Sequence, residues 1–150
     1  MTTDPKLDVQ IDPRGYRFGA AVTLALSAAA VIVGSTTAGL VVMGVLVALF
    51  LPGATIGPQA TLQAAVFKRL IAPRIGKPTE TESFRPPRFA QQMGLGMSIA
   101  ALALGLASVN LGFLIFGALI LAASFLNAVF GFCLGCEIYL LLKRLTTKAA

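Results

Sequence analysis

Apolar residues fill two long blocks of this chain, and charge is confined to the stretches beside and between them. No Asp, Glu, Lys or Arg occurs from Phe18 to Phe67, or from Phe89 to Cys136. Each block far exceeds the roughly 20 apolar residues that cross a bilayer. Each also contains a short uncharged turn, which marks a tight hairpin. The pattern predicts an all-α membrane protein with four transmembrane helices, arranged as two tandem helical hairpins. The first helix is expected over Tyr16 to Val33, followed by a turn at Gly34-Ser35-Thr36-Thr37. The second runs from Ala38 to Leu51, where Pro52-Gly53 interrupts it. The third covers Phe89 to Ala107, and a turn at Ser108-Val109-Asn110 leads to the fourth, from Leu111 to at least Gly131. A single membrane domain is expected. It divides into a loosely ordered cytosolic tail over 1–15, hairpin one over 16–51, a linker region over 52–88, hairpin two over 89–142, and a cytosolic tail over 143–150.

The second and fourth apolar stretches are too long for upright spans. Ala38 to Phe67 is 30 residues and Leu111 to Leu142 is 32, so as helices they would reach about 45–48 Å against a hydrocarbon core of about 30 Å. Breaks are therefore expected in both, near Pro52-Gly53 and near Gly131-Cys136. Proline removes a backbone donor and clashes with the preceding turn. After the first break, Gln59 to Ile71 is expected to lie at the cytosolic interface. Its amphipathicity is imperfect, because Gln63 falls among Leu62, Val66 and Leu70 on one face. Residues 73–87 read as irregular.

Charge sets the expected orientation. The 12 Lys and Arg outnumber the 6 Asp and Glu, for a net charge of +6. The basic residues fall beside the first helix, in the central segment and at the C-terminal end, and none lies in either hairpin turn. Short Lys/Arg-rich loops stay in the cytosol, so both termini and the central loop are expected there, with membrane lipid as the partner of the basic surface. Arg17, Lys68, Arg69, Arg88, Lys143 and Arg144 are the expected headgroup anchors; Lys6 also flanks the first helix. A nucleic-acid role is not needed to explain the charge, and the basic run lacks interleaved aromatics that would stack bases. The first apolar block follows a polar tail and has no convincing cleavage site, so it does not read as a cleaved leader.

The two halves resemble each other. Pro13-Arg14-Gly15-Tyr16-Arg17-Phe18-Gly19-Ala20 is matched by Arg85-Pro86-Pro87-Arg88-Phe89-Ala90, and each half closes on Lys-Arg-Leu, at Lys68 and at Lys143. The offset is 71 residues at Arg17/Arg88 and 75 at Lys68/Lys143. A parallel internal repeat follows, and interrupted helices at matching places point to a site. The first and third helices are rich in Gly, Ala and Ser, which let backbones approach closely in lipid. With no His, and with no acid inside an apolar segment except Glu137 at its edge, the chain lacks the intramembrane relay of an ion-coupled pump.

Chemistry has few residues to work with. Cys133 and Cys136, in Phe132-Cys133-Leu134-Gly135-Cys136-Glu137, are the only cysteines. Residues three apart share a helix face, and Glu137 is placed to reach the Cys133 thiol. Four readings stay open. A redox-active CxxC dithiol gains a lowered pKa at a helix start; Cys133, Cys136 and Glu137 are then the catalytic candidates, either cysteine can be the nucleophile, and a reducing cytosol sets the default dithiol state. Alternatively, Cys133 and Cys136 hold Cu(I) or Zn, soft ligands for soft metals; no cofactor is required by the other readings. The cysteines can equally be small packing residues in a non-enzymatic membrane scaffold or subunit. A small-solute permease using the paired breaks is the remaining reading. Gly131 and Gly135 leave room for a neighbour, and the dithiol is expected to face Pro52 and Gly53 of the other hairpin. Asn127, one or two turns earlier, is expected to bond across helices.

Ile11-Asp12-Pro13-Arg14-Gly15, Arg17-Phe18-Gly19-Ala20, Arg85-Pro86-Pro87-Arg88-Phe89-Ala90-Gln91, Phe125-Leu126-Asn127-Ala128 and the run from Phe130 to Glu137 resemble a family of small bacterial membrane proteins of actinobacterial type, catalogued as domain of unknown function 4395. The resemblance covers nearly the whole chain. It implies a four-span, multi-pass protein of the plasma membrane (the bacterial inner membrane), without assigned activity. It also implies that the gene lies near those of soluble thioredoxin-like or sulfurtransferase proteins, which makes such a protein the expected partner. The leading expectation is a membrane component with a cytosol-facing dithiol that exchanges electrons or sulfur with such a partner, alone or in a homo- or hetero-oligomer.

Overall fold

The structure, a computed structural model, describes residues 9–148. Residues 1–8, which include Lys6 and half of the expected loose tail, lie outside the described residues, as do 149–150. The elements in chain order are β1 (Gln10–Ile11), α1 (Pro13–Val33), α2 (Thr37–Thr55), a 3-10 turn (Pro58–Ala60), α3 (Leu62–Val66), a π-helical turn (Phe67–Ile71), α4 (Ala72–Ile75), β2 (Glu82–Ser83), α5 (Arg85–Leu106), α6 (Asn110–Phe130) and α7 (Leu134–Lys148). Four of them, α1, α2, α5 and α6, are long and apolar enough to cross a membrane.

Local chemistry sets the ends. Asp12 caps α1, its carboxylate accepting the Arg14 backbone N–H at 2.9 Å, with Pro13 in the first helical position. A side-chain oxygen there satisfies a donor the helix cannot, and proline loses nothing where no N–H is needed. Gly34, at φ 66°, ends the helix and donates to the Ala30 carbonyl. Thr36 then caps α2 by accepting the Gly39 N–H. The second turn passes through Ser108 at φ 62°. The two turns meet, Ser35 donating to the Asn110 side-chain oxygen at 2.8 Å.

Around the bundle, α1 packs on α2 and α6, and α5 packs on α2 and α6. Ala30, Met43, Leu46, Phe50, Ala101, Phe113 and Ile120 form the core. Phe50 fits because Gly94 faces it; a Cβ there would come within 2.6 Å of the ring. Buried hydroxyls are satisfied within their own helices: Thr23 donates to the Gly19 carbonyl, Ser27 to Leu24 and Ser98 to Leu95. Such back-bonding leaves an outwardly apolar rod.

Contacts made by one half have counterparts in the other. Arg17 reaches the carbonyls of Ala128 and Val129, at 3.3 and 3.4 Å. Arg88 reaches those of Ala54 and Thr55, at 3.3 and 2.9 Å. Each guanidinium thus covers carbonyls that the end of a helix leaves free, and each does so across the halves. The Phe18 and Phe67 rings lie 6.0 Å apart, and those of Phe89 and Tyr139 lie 5.7 Å apart.

Several expectations need correction. The break in the second helix comes just after Pro52-Gly53 and not at the proline itself: α2 runs through both to Thr55. The Pro52 carbonyl accepts from Ile56 and Gly57, and the Thr55 hydroxyl bonds back to Leu51 at 2.8 Å. Pro is tolerated in apolar helices when neighbours re-satisfy the backbone, and the stop comes from Gly57, at φ 152°, followed by Pro58. Gln63 is buried with Phe67, while Leu62 and Leu70 are exposed; the helical face is rotated from the expected one. The start of the chain is not loose up to residue 15, because Gln10 and Ile11 pair antiparallel with Ser83 and Glu82. Nor is 143–148 a tail, since α7 continues to Lys148.

Candidate functional site

The site grows from the junction of α6 and α7. Gly131 ends α6 in the left-handed region, φ 67° and ψ 16°. Its N–H bonds to the Asn127 carbonyl and that of Phe132 to Leu126, at 3.0 and 3.2 Å. This is a paired C-terminal cap that needs glycine. The chain turns over Phe132 and starts again at Leu134. Cys133 occupies the capping position of the new helix. Its carbonyl accepts the Glu137 N–H at 3.1 Å, and its sulfur accepts the Cys136 N–H at 3.2 Å. That is the place and bonding of a Ser or Thr cap. In the first half, Thr61 does the same for α3, accepting the Ala64 N–H at 3.1 Å.

The capping turn brings the Cα atoms of Cys133 and Cys136 to 5.1 Å, within bridging range, and the two form a disulfide. The pair is thus oxidised in this structure, not the dithiol expected of a reducing compartment. The Tyr16 hydroxyl, from the first turn of α1, lies 3.5 Å from the Cys133 sulfur. Gly135 lies against Ala90 of α5; a Cβ at Gly135 would come within 2.6 Å of the Ala90 side chain and 2.7 Å of its backbone. That close approach fixes α7 on the bundle and holds the disulfide at its end.

Inside the junction is a cavity of about 90 Å³. Tyr16, Asn127, Ser124, Gln91 and Cys133 supply its polar groups, and Phe50, Met93, Met97, Ile120 and Ile138 its apolar wall. Asn127 is 6% exposed. The interhelical bond expected of it is not made: among the described residues no group bonds its side-chain amide, which borders the cavity instead. A second cleft of about 360 Å³ opens at the same end, lined by Gln10, Asp12, Gln59, Phe67, Lys68 and Thr81 among others. Tyr16 lines both spaces.

The other expected site residues are dispersed. Glu137 is exposed and outside the cavity lining; its backbone N–H, not its carboxylate, reaches Cys133. Pro52 and Gly53 do not line the cavity. Gln91 stands between, lining the cavity with Cys133 while its amide lies against Gly53. Lys68, Arg69, Lys143 and Arg144 are exposed. Among the described residues no three His, Cys, Asp or Glu gather in one place. Tyr16 and Gln91 were not foreseen as site residues. One signal was available for Tyr16: it is one of only two tyrosines, set in the basic motif that opens the first helix.

A disulfide that caps a helix beside a small half-open cavity, on a bundle of four membrane-length helices, defines a membrane-type helical protein with a cysteine pair at a helix junction. The chain belongs to the family described as Domain of unknown function (DUF4395), whose model matches residues 11–144. No curated protein and no solved structure matches it.

Proposed function

We propose that the protein is a multi-pass component of the plasma membrane that performs thiol–disulfide exchange or sulfur transfer through Cys133 and Cys136. Its partner is a soluble protein of thioredoxin-like or sulfurtransferase type. The observation that carries this reading is the setting of Cys133. Its sulfur receives a helix-capping N–H, touches a phenol and borders a cavity with an unpartnered amide. Donors and a helix N-terminus favour the thiolate, which is the reactive form of cysteine. A purely structural staple is the weaker reading, because cross-linking stabilises chiefly by closing long loops and this pair is three residues apart. The basic end, with both termini and the linker, is read as cytosolic on the positive-inside rule. The matched contacts of Arg17 and Arg88 support reading the halves as a parallel repeat.

The test is direct. Purified protein in lipid nanodiscs is incubated with reduced thioredoxin, and the state of the pair is read by alkylation and mass spectrometry. Opening of the disulfide, and its return on adding oxidised thioredoxin, is the expected result. A pair that stays closed at millimolar dithiol under native conditions contradicts the proposal. For the orientation, a membrane-impermeant thiol reagent should label the reduced pair only from the basic side.

A further inference from the structure

The two cysteines are alike in sequence but not in surroundings. Three features converge on the Cys133 sulfur and none of them on that of Cys136. The Cys136 N–H points at Cys133 Sγ, 3.2 Å away. The Tyr16 hydroxyl stands 3.5 Å from the same atom. Cys133 also caps α7, a helix of 15 residues, so its sulfur lies at the positive end of the helix dipole. Cys136 is one turn inside the helix, and it does not line the cavity.

Thiol–disulfide exchange goes faster when the departing sulfur is the better-stabilised thiolate. We infer that Cys133 is the departing and charge-holding sulfur, that Cys136 is the sulfur an incoming thiol attacks, and that Tyr16 is the catalytic hydroxyl that supports the charge on Cys133. This inference rests on the exchange reading above and assigns the roles within it. In the step, the thiolate of a soluble protein dithiol attacks Cys136 Sγ. A new S–S bond forms between the partner and Cys136 as the Cys133–Cys136 bond breaks. The electron pair of the broken bond stays on Cys133, where the Cys136 N–H and the Tyr16 O–H both donate to it. The partner's second thiol then attacks its own mixed disulfide and leaves as an intramolecular disulfide. Cys136 is released as a thiolate and takes a proton from water. Net, the partner dithiol is oxidised and the Cys133/Cys136 disulfide reduced, two electrons passing between them.

Tyr16 is suited to this by position. It borders both the cavity and the wider cleft, which also holds Asp12 and Lys68. Its hydroxyl is the group of that residue set against Cys133 Sγ, where it can donate a hydrogen bond to the charge without giving up its proton. Sequence spacing gives no hint of the pairing, since 117 residues separate Tyr16 from Cys133.

The experiment uses the full chain in nanodiscs and reduced glutathione as the attacking thiol. The reaction is stopped by rapid alkylation, and the adducts are located by mass spectrometry. The expected result is glutathione on Cys136 and the alkyl group on Cys133, by at least tenfold over the reverse. In the fully reduced protein, the pH dependence of alkylation should give Cys133 the lower pKa of the two. Tyr16→Phe should raise the Cys133 value and slow the opening, with little change in that of Cys136. Glutathione found on Cys133 overturns the assignment while leaving exchange itself intact. A Tyr16→Phe variant with an unchanged Cys133 pH profile removes the role given to Tyr16. A disulfide that neither glutathione nor reduced thioredoxin opens at either sulfur overturns the exchange reading and this inference together.

Discussion

The two halves of the molecule make contacts at matching places and differ between them. In the first, Thr61 caps α3, Gln63 packs on Gly19, and the Phe67 ring sits on Phe18. In the second, Cys133 caps α7, Gly135 packs on Ala90, and the Tyr139 ring sits on Phe89. Arg88 ties off the end of α2, and Arg17 ties off the end of α6. The interiors differ. At the first junction the wider cleft opens beside Pro58, Gln59 and Ala64, while Gln91 and Phe50, which cover Gly53 and Gly94, also wall the cavity. Before the second junction stand Asn127 and Ser124, and the cavity remains. The shared frame is therefore packing, and the proposed exchange site lies where one half departs from it.

The largest expected effect is on exchange. Cys133→Ser/Cys136→Ser should reduce the rate with thioredoxin to background, whereas Thr61→Ala should leave exchange alone and cost about 1 kcal/mol of stability, as other caps do. Moving the pair sharpens the contrast. Thr61→Cys/Ala64→Cys in the serine background should form a bond yet fail to restore exchange, because the Tyr16 hydroxyl and the Asn127 side of the cavity lie at the Cys133 junction.

Packing comes next. Gly135→Val should destabilise by about 3 kcal/mol through overpacking against the α5 backbone, measured by denaturant unfolding in mild detergent. Adding Ala90→Gly should return part of the loss, since residues in contact are coupled. If the two changes are simply additive, the close approach of α5 and α7 is not what fixes the junction.

The arginines should be comparable but unequal. Arg88→Ala is expected to cost about 2 kcal/mol and Arg17→Ala about 1 kcal/mol, in the range of charge-assisted hydrogen bonds. Arg88 is the less exposed and makes the shorter bond. A large loss for one and none for the other would break the comparison between halves. Gln63→Leu should gain about 1 kcal/mol, because the Gln63 side-chain oxygen is buried without a partner and a lone buried acceptor carries its desolvation penalty.

The smallest effect concerns pH. The hydrogen bond from the Arg14 guanidinium holds the Asp12 carboxyl below its usual range. A group with a lowered folded pKa stabilises fully above its unfolded value and loses that contribution as pH falls through the folded one. Thermal stability should therefore decline slightly on acidification below the ordinary carboxylate range, and less so in Asp12→Asn, which keeps a capping oxygen.

Much of the frame was legible in the chain. Uninterrupted hydropathy marks the four helices, and Asp12-Pro13, Gly34 and Gly131 mark their ends by chemistry that works locally. Pro52 misled because a proline that stops a helix in water can be carried through an apolar one. Gln63 misled because its face is set by Gly19 on another helix, not by its neighbours in sequence. The pairing of Gln10–Ile11 with Glu82–Ser83 is too short to leave a period. At the site, the cysteines announce themselves. Tyr16, Gln91 and the unpartnered amide of Asn127 do not, since each matters through contacts between distant helices.

The most direct test is covalent capture in cells. A chain carrying Cys133→Ser retains Cys136 alone and cannot release a mixed disulfide by internal attack. The account predicts a reductant-sensitive adduct between this variant and a soluble thioredoxin-like or sulfurtransferase protein, lost when Cys136 is also replaced. No such adduct, with full function retained by the variant lacking both cysteines, would contradict it.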